Sequence, residues 1–177
     1  MRKNLIILCL ALLSTAARGQ IANRSLGVSV GALHLDGLSA SIPWAVPVAL
    51  DGSLYLENGF EATAQLGVAL VHDGTSGLNG WAVDGPWLGV RYLFREEAVR
   101  PSVRLEAGYL RAFGVRSLDP SSANTGLGFV GVSASGGVEV LVTESVSLGA
   151  RGRLNVYFTL QQAWLAAGLE LSAHAYF

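Results

Sequence analysis

The chain has one lysine, Lys3, and one cysteine, Cys9, both close to its start. Charged residues make up only 14% of it, and the formal net charge is -1. So small and balanced a charge excludes the basic face that nucleic-acid binding requires. Long apolar runs are also missing. Past the first residues nothing reaches the ~18 unbroken apolar positions of a membrane-spanning helix, although 51% of the chain is hydrophobic. The hydrophobicity is therefore dispersed. Its one concentration is Leu5 to Leu13, preceded by Arg2 and Lys3 and followed by Ala17-Arg18-Gly19. That order of basic, apolar and small residues reads as a secretory signal over 1–19, too short to span a bilayer. Cys9 leaves with it, so the mature chain, 20–177, has no disulfide or thiolate chemistry. With nothing expected beyond Phe177, it forms one domain and carries no soluble peptidoglycan-binding module.

Within 20–177 the apolar residues recur with a period of two. Ala163, Leu165, Ala167, Leu169, Leu171, Ala173, Ala175 and Phe177 share one parity, and Trp164, Gly168, Glu170, Ser172, His174 and Tyr176 the other. Successive strand side chains point to opposite faces, so such alternation predicts a strand, whereas a helix would mix the two sets. Seven earlier segments repeat the pattern: 26–32, 46–56, 60–70, 88–95, 103–109, 130–142 and 146–158. Residues paired across a hairpin must face one side, which constrains connection lengths. Leu56 and Phe60 can pair across Glu57-Asn58-Gly59, Val142 and Val146 across Thr143-Glu144-Ser145, and Phe94 and Val99 across four residues. These short turns alternate with longer connections near 36–45, 73–86 and 116–126; the connection 159–162 is short again. The expectation is an all-β fold, a closed antiparallel up-and-down eight-stranded transmembrane β-barrel, with both termini on the short-turn, periplasmic side.

Three features turn the polar face inward. It is rich in Gly, Ser and Ala, which suit the narrow lumen of an eight-stranded barrel, and it has no lysine. Its charges balance: Glu61, Glu106, Glu139 and Glu170 against Arg91, Arg104, Arg151 and Arg153. Buried charges need partners, and the planar fork of arginine suits carboxylates, so these eight are expected to form a lumen charge network. Aromatic residues gather near strand ends. Phe60, Tyr92, Phe94 and Phe177 mark one girdle, while Tyr109 and Phe158, with Trp44, Trp81, Trp87 and Trp164, mark the other. Arg111 has lipid-facing parity near the outer rim, where it can snorkel toward water or lipopolysaccharide phosphate.

With these features the chain resembles the small eight-stranded outer-membrane proteins of the OmpA/OmpX transmembrane-barrel type. The terminal stretch resembles the assembly signal of that class, in Leu169, Leu171, Ala173, Ala175 and the aromatic Phe177. The resemblance implies residence in a bacterial outer membrane in contact with its lipid and lipopolysaccharide. It also implies recognition by the barrel-assembly machinery, and a monomer. It implies no activity.

Little chemistry is legible. The histidines are His34, His72 and His174. Ser172, His174 and Glu170 share a face, but strand neighbours of that spacing are ~7 Å apart, too far for a nucleophile–base hydrogen bond. The histidines have no metal-site spacing, Asp51-Gly52, Asp73-Gly74 and Asp84-Gly85 read as bends or bulges rather than calcium loops, and no phosphate or dinucleotide motif occurs. No metal, cofactor or catalytic residue is expected. The residues support a non-enzymatic envelope protein with a largely plugged polar lumen, supporting the membrane or presenting surface loops. A small-solute pore is the alternative, and a lipid A-modifying enzyme is the least supported. A soluble ligand-binding barrel would instead need an apolar lumen.

Overall fold

A computed structural model describes residues 23–37, 41–72, 78–95, 97–114, 127–158 and 163–177. The expected secretory signal over 1–19, Asp73-Gly74 and the connection 159–162 lie outside them. Eight strands follow in chain order: β1 (Arg24–Gly37), β2 (Ser41–Glu57), β3 (Phe60–His72), β4 (Leu78–Leu93), β5 (Val99–Phe113), β6 (Leu127–Thr143), β7 (Val146–Phe158) and β8 (Ala163–Tyr176). Each pairs antiparallel with its sequence neighbours, and β8 returns to β1 to close the barrel. Among the described residues no helix is long and apolar enough to cross a membrane.

The two-residue period becomes two cylinders. Facing out, Leu50, Leu66, Leu105, Val130, Leu148 and Leu169 are exposed, Leu169 to 72%. Facing in, Asp51, Glu61, Arg104, Glu139, Arg153 and Glu170 are buried. Charge inside and hydrocarbon outside invert the pattern of a soluble barrel, and this inverted surface is the one a lipid environment accommodates.

Several local expectations are corrected. Strands extend through 41–45 and 78–86, so the long connections are shorter than the sequence pattern suggested. Glu57 pairs with Phe60 across Asn58-Gly59, whose φ values of 52° and 82° give the two-residue turn that Asn-Gly favours. A register shift between Tyr55 and Glu57 absorbs the parity change. Thr143 and Val146 likewise pair across two residues. Phe94 donates to Pro101 O at 2.9 Å rather than closing on Val99.

The largest correction lies in β4. Between Asp84 and Trp87 that strand carries one residue more than either neighbour, a β-bulge at Gly85-Pro86. Asp84 and Trp87 therefore both point into the lumen despite opposite parity. Trp87 is fully buried and Trp164 nearly so, so neither belongs to a rim girdle, whereas Trp44 and Trp81 are exposed. Trp87 fits because its neighbours lack side chains: a Cβ on Gly108 would lie 2.4 Å from the Trp87 ring, and one on Gly131 3.0 Å from it.

Candidate functional site

The lumen is the one place where the fold gathers buried polar side chains, and it has two halves of opposite character. Toward the short turns, Arg91 on β4 links Glu61 on β3 to Glu139 on β6. Its Nε donates to Glu61 Oε2 at 2.5 Å and its Nη1 to Glu139 Oε2 at 3.0 Å. Glu139 Oε1 also accepts from the Ser147 hydroxyl, and from Tyr176 at 2.5 Å. Tyr176 lies beneath Arg100, whose guanidinium sits 5.1 Å from the ring centre.

Further up, one chain of ion pairs crosses the lumen. Arg104 bridges Glu106 and Asp51, the latter through Nη1 to Oδ1 at 2.9 Å. Arg151 joins Asp51 at 3.3 Å to Glu170 at 2.5 Å. Arg153 then joins Glu170 at 2.9 Å to Asp84 at 3.6 Å. Every one of these arginines is shared by two carboxylates, so removing a single charge leaves its partners under-compensated in a low-dielectric interior. Neutral groups fill the remaining positions. Ser29 donates to Asp51 at 2.6 Å, Trp87 Nε1 to Asp84 at 2.7 Å, and Arg153 Nε to Asn155 at 2.8 Å.

All eight residues of the sequence-read charge network face the lumen, in two groups: Glu61, Arg91 and Glu139 below, and Arg104, Glu106, Arg151, Arg153 and Glu170 above. Sequence reasoning missed Asp51 and Asp84, which link the upper group. Asp51 has the inward parity of Ala49 and Ser53, a signal that outweighs its Asp-Gly context. Asp84 had no such signal, because the bulge breaks the parity count.

Toward the long connections the lumen is apolar, contrary to the expectation of a polar interior throughout. Leu33, Leu35, Val71, Leu110, Phe129 and Trp164, with alanines between them, close on Trp87 and Tyr157. Phe129 meets Tyr157 and Trp164 edge-on, both with ring centroids 6.3 Å apart. A cavity of about 20 Å³ remains among Leu33, Val71, Ala82 and Tyr157, and another of about 20 Å³ lies by Arg91, Arg104 and Ser172. Each has room for on the order of one water.

Among the described residues no catalytic triad is assembled. Glu170 is committed to Arg151 and Arg153, whereas His174 Nδ1 lies 3.6 Å from Glu139. Ser147 faces His174 across the β7–β8 pair, but its hydroxyl is held by Glu139. His34 is exposed and 3.3 Å from Asp36, and His72 ends β3. Among the described residues no group of His, Cys, Asp and Glu can hold a metal ion. On the outer surface Arg111 is exposed, its guanidinium 5.2 Å from the Phe113 ring centre, and Phe113 stacks on Trp81. In the terminal stretch, Leu169 and Leu171 are exposed on β8, Ala173 and Ala175 are half-buried, and Phe177 bonds through its backbone to Arg24.

Against known structures the whole barrel superposes. Neisserial surface protein A aligns with a TM-score of 0.67 over 88% of this chain and 97% of its own, at 14% identity. The chain has the fold of the small eight-stranded outer-membrane barrels. The attachment invasion locus protein Ail of Yersinia pestis aligns at 0.59, with 12% identity over 87% of this chain and 97% of its own. The outer membrane protein OprG of Pseudomonas aeruginosa gives 0.54, at 10% identity over 89% and 97%. No protein-family model and no curated protein sequence matches this chain. The likeness is thus one of backbone.

Proposed function

We propose that this protein is an integral barrel of a bacterial outer membrane, non-enzymatic and closed along its axis, which carries its long connections at the cell surface. The observation that carries the reading is the pairing of an apolar exterior with a doubly blocked interior. The ion-pair chain fills one half of the lumen and the aromatic stopper the other, and the small cavity within each half has room for on the order of one water. A blocked lumen supports no solute traffic, and committed carboxylates support no hydrolytic chemistry. The surface-protein and attachment names of two structural neighbours are in keeping with display of the outer connections. In this reading the barrel works as a monomer, Arg111 meets lipopolysaccharide phosphate at the outer rim, and the assembly machinery recognises the terminal strand.

Cell fractionation with heat-modifiable gel mobility tests the location: the protein is expected in the outer membrane, shifting on boiling, and recovery in the soluble periplasm refutes it. Planar-bilayer recording tests the closure. The expected trace is silent; stepwise currents abolished by bulky replacement of Ser133 or Gly149 would establish the solute pore instead. His174→Ala is expected to leave the lipid A profile unchanged, and an altered profile would restore the enzyme reading.

A further inference from the structure

A large free space lies outside the lumen, on the outer face of the barrel. On β8, Ala175 stands between Leu26 of β1 and Val146 of β7, and Ala173 between Val28 and Leu148. Two small side chains flanked by large ones make a furrow with its floor on β8 and its walls on β1 and β7. Leu50 of β2, which pairs with Val28, raises the β1 wall further. The furrow holds about 320 Å³ and is apolar along its length, far larger than either lumen cavity. Leu171, exposed to 62%, is the next outward-facing residue of β8 above Ala173.

The lower end carries charge. Arg24 pairs with outward-facing Leu54, is itself exposed, and exchanges backbone bonds with Phe177 at 3.2 and 3.0 Å. An arginine therefore stands on the outer face directly below Leu26, at the short-turn end, where headgroups of the periplasmic leaflet lie. We propose that the β7–β8–β1 seam binds one phospholipid of the periplasmic leaflet, an acyl chain lying on Ala173 and Ala175 and the phosphate held by Arg24. The site rests on the membrane-barrel reading above, which supplies its lipid surroundings. Occupant and site match in two ways: an apolar trough of chain width takes a hydrocarbon tail, and a guanidinium at its interfacial end takes a phosphate through paired N–H donors. The phosphate of a phospholipid supplies the charge of Arg24 with a partner at the membrane interface.

Native mass spectrometry of the full-length expression product, purified from membranes in nonionic detergent, tests this with dimyristoyl phosphatidylglycerol as probe and dimyristoylglycerol, which lacks phosphate, as control. Wild type is expected to retain one phospholipid. Filling the furrow with Ala173→Leu plus Ala175→Leu should abolish retention of both molecules. Arg24→Gln, at an exposed position, should weaken phosphatidylglycerol retention about fivefold or more and leave dimyristoylglycerol unaffected. Leu26→Ala lowers one wall and should weaken both, which keeps the test intact if the filled variant does not accumulate. A folded, heat-modifiable barrel that retains no lipid, or retains as much with the furrow filled, overturns the site and leaves the membrane reading standing. A protein that stays in the aqueous phase with no heat-modifiable band overturns both.

Discussion

Glu170→Gln isolates the contribution of the ion-pair chain. Glu170 is buried to 2% exposure and accepts Arg151 Nε at 2.5 Å through Oε2 and Arg153 Nη1 at 2.9 Å through Oε1. Glutamine keeps the shape and one acceptor but removes the charge that both guanidiniums share. What remains for them is Asp51 at 3.3 Å and Asp84 at 3.6 Å, longer contacts already used by other partners. Breaking a buried pair by removing one partner costs about 3–5 kcal/mol. The retained Asp51 and Asp84 contacts place the expected loss at the lower end, about 3 kcal/mol. Urea unfolding of the barrel in lipid vesicles, followed by tryptophan fluorescence, measures it, because Trp87 and Trp164 lie inside the lumen and report its opening. Adding Arg153→Met removes one stranded charge and should recover part of the loss in a double-mutant cycle. A loss under about 1 kcal/mol, the range of exposed pairs, would mean that water screens the lumen and the chain of pairs does not hold it together.

Other expectations follow from sidedness and packing. Leu105 lies midway along β5 on the outer face, so Leu105→Arg should cost about 2–4 kcal/mol in bilayers, while Arg111→Ala at the rim should change stability by about 1 kcal/mol or less. Equal effects in vesicle unfolding would contradict a membrane-embedded exterior. Gly108→Ala pushes a methyl into the Trp87 ring and should cost about 1–3 kcal/mol. Gly152→Ala adds one facing open space and should be neutral or slightly stabilising. Melting both variants checks the pair, and a harmless Gly108→Ala would place Trp87 elsewhere. Brominated phospholipids should quench single-tryptophan variants retaining Trp44 or Trp81 and spare those retaining Trp87 or Trp164. Quenching of Trp87 would return it to the lipid face.

The strand number and the two faces were legible because the pleat writes them directly into the sequence. Val146, Leu148 and Leu154 alternate with Ser147, Arg151 and Arg153 whatever the surroundings, and pairing register follows from that alternation. The stopper was not legible. Leu33, Leu110 and Phe129 point inward yet are as apolar as the outward residues beside them, so hydrophobicity cannot tell lumen from lipid there. Asp84 was hidden by the single extra residue between it and Trp87, which shifts the parity counted back from Leu88 and Val90. Asp51 was hidden by its Asp-Gly context, which suggests a bend where β2 in fact runs straight through.

The pairing of β8 with β1 runs from Ser25–Tyr176 at one end to Gly37–Trp164 at the other, so the first strand of the ladder has no permanent partner on one side until the last has been made. Until that pairing is made, a sheet built from the earlier strands keeps two bare edges, each able to recruit another strand. Closure joins the most distant parts of the molecule, and distant pairings are slow to form. A chain truncated before β8 would keep both edges open to a neighbouring strand.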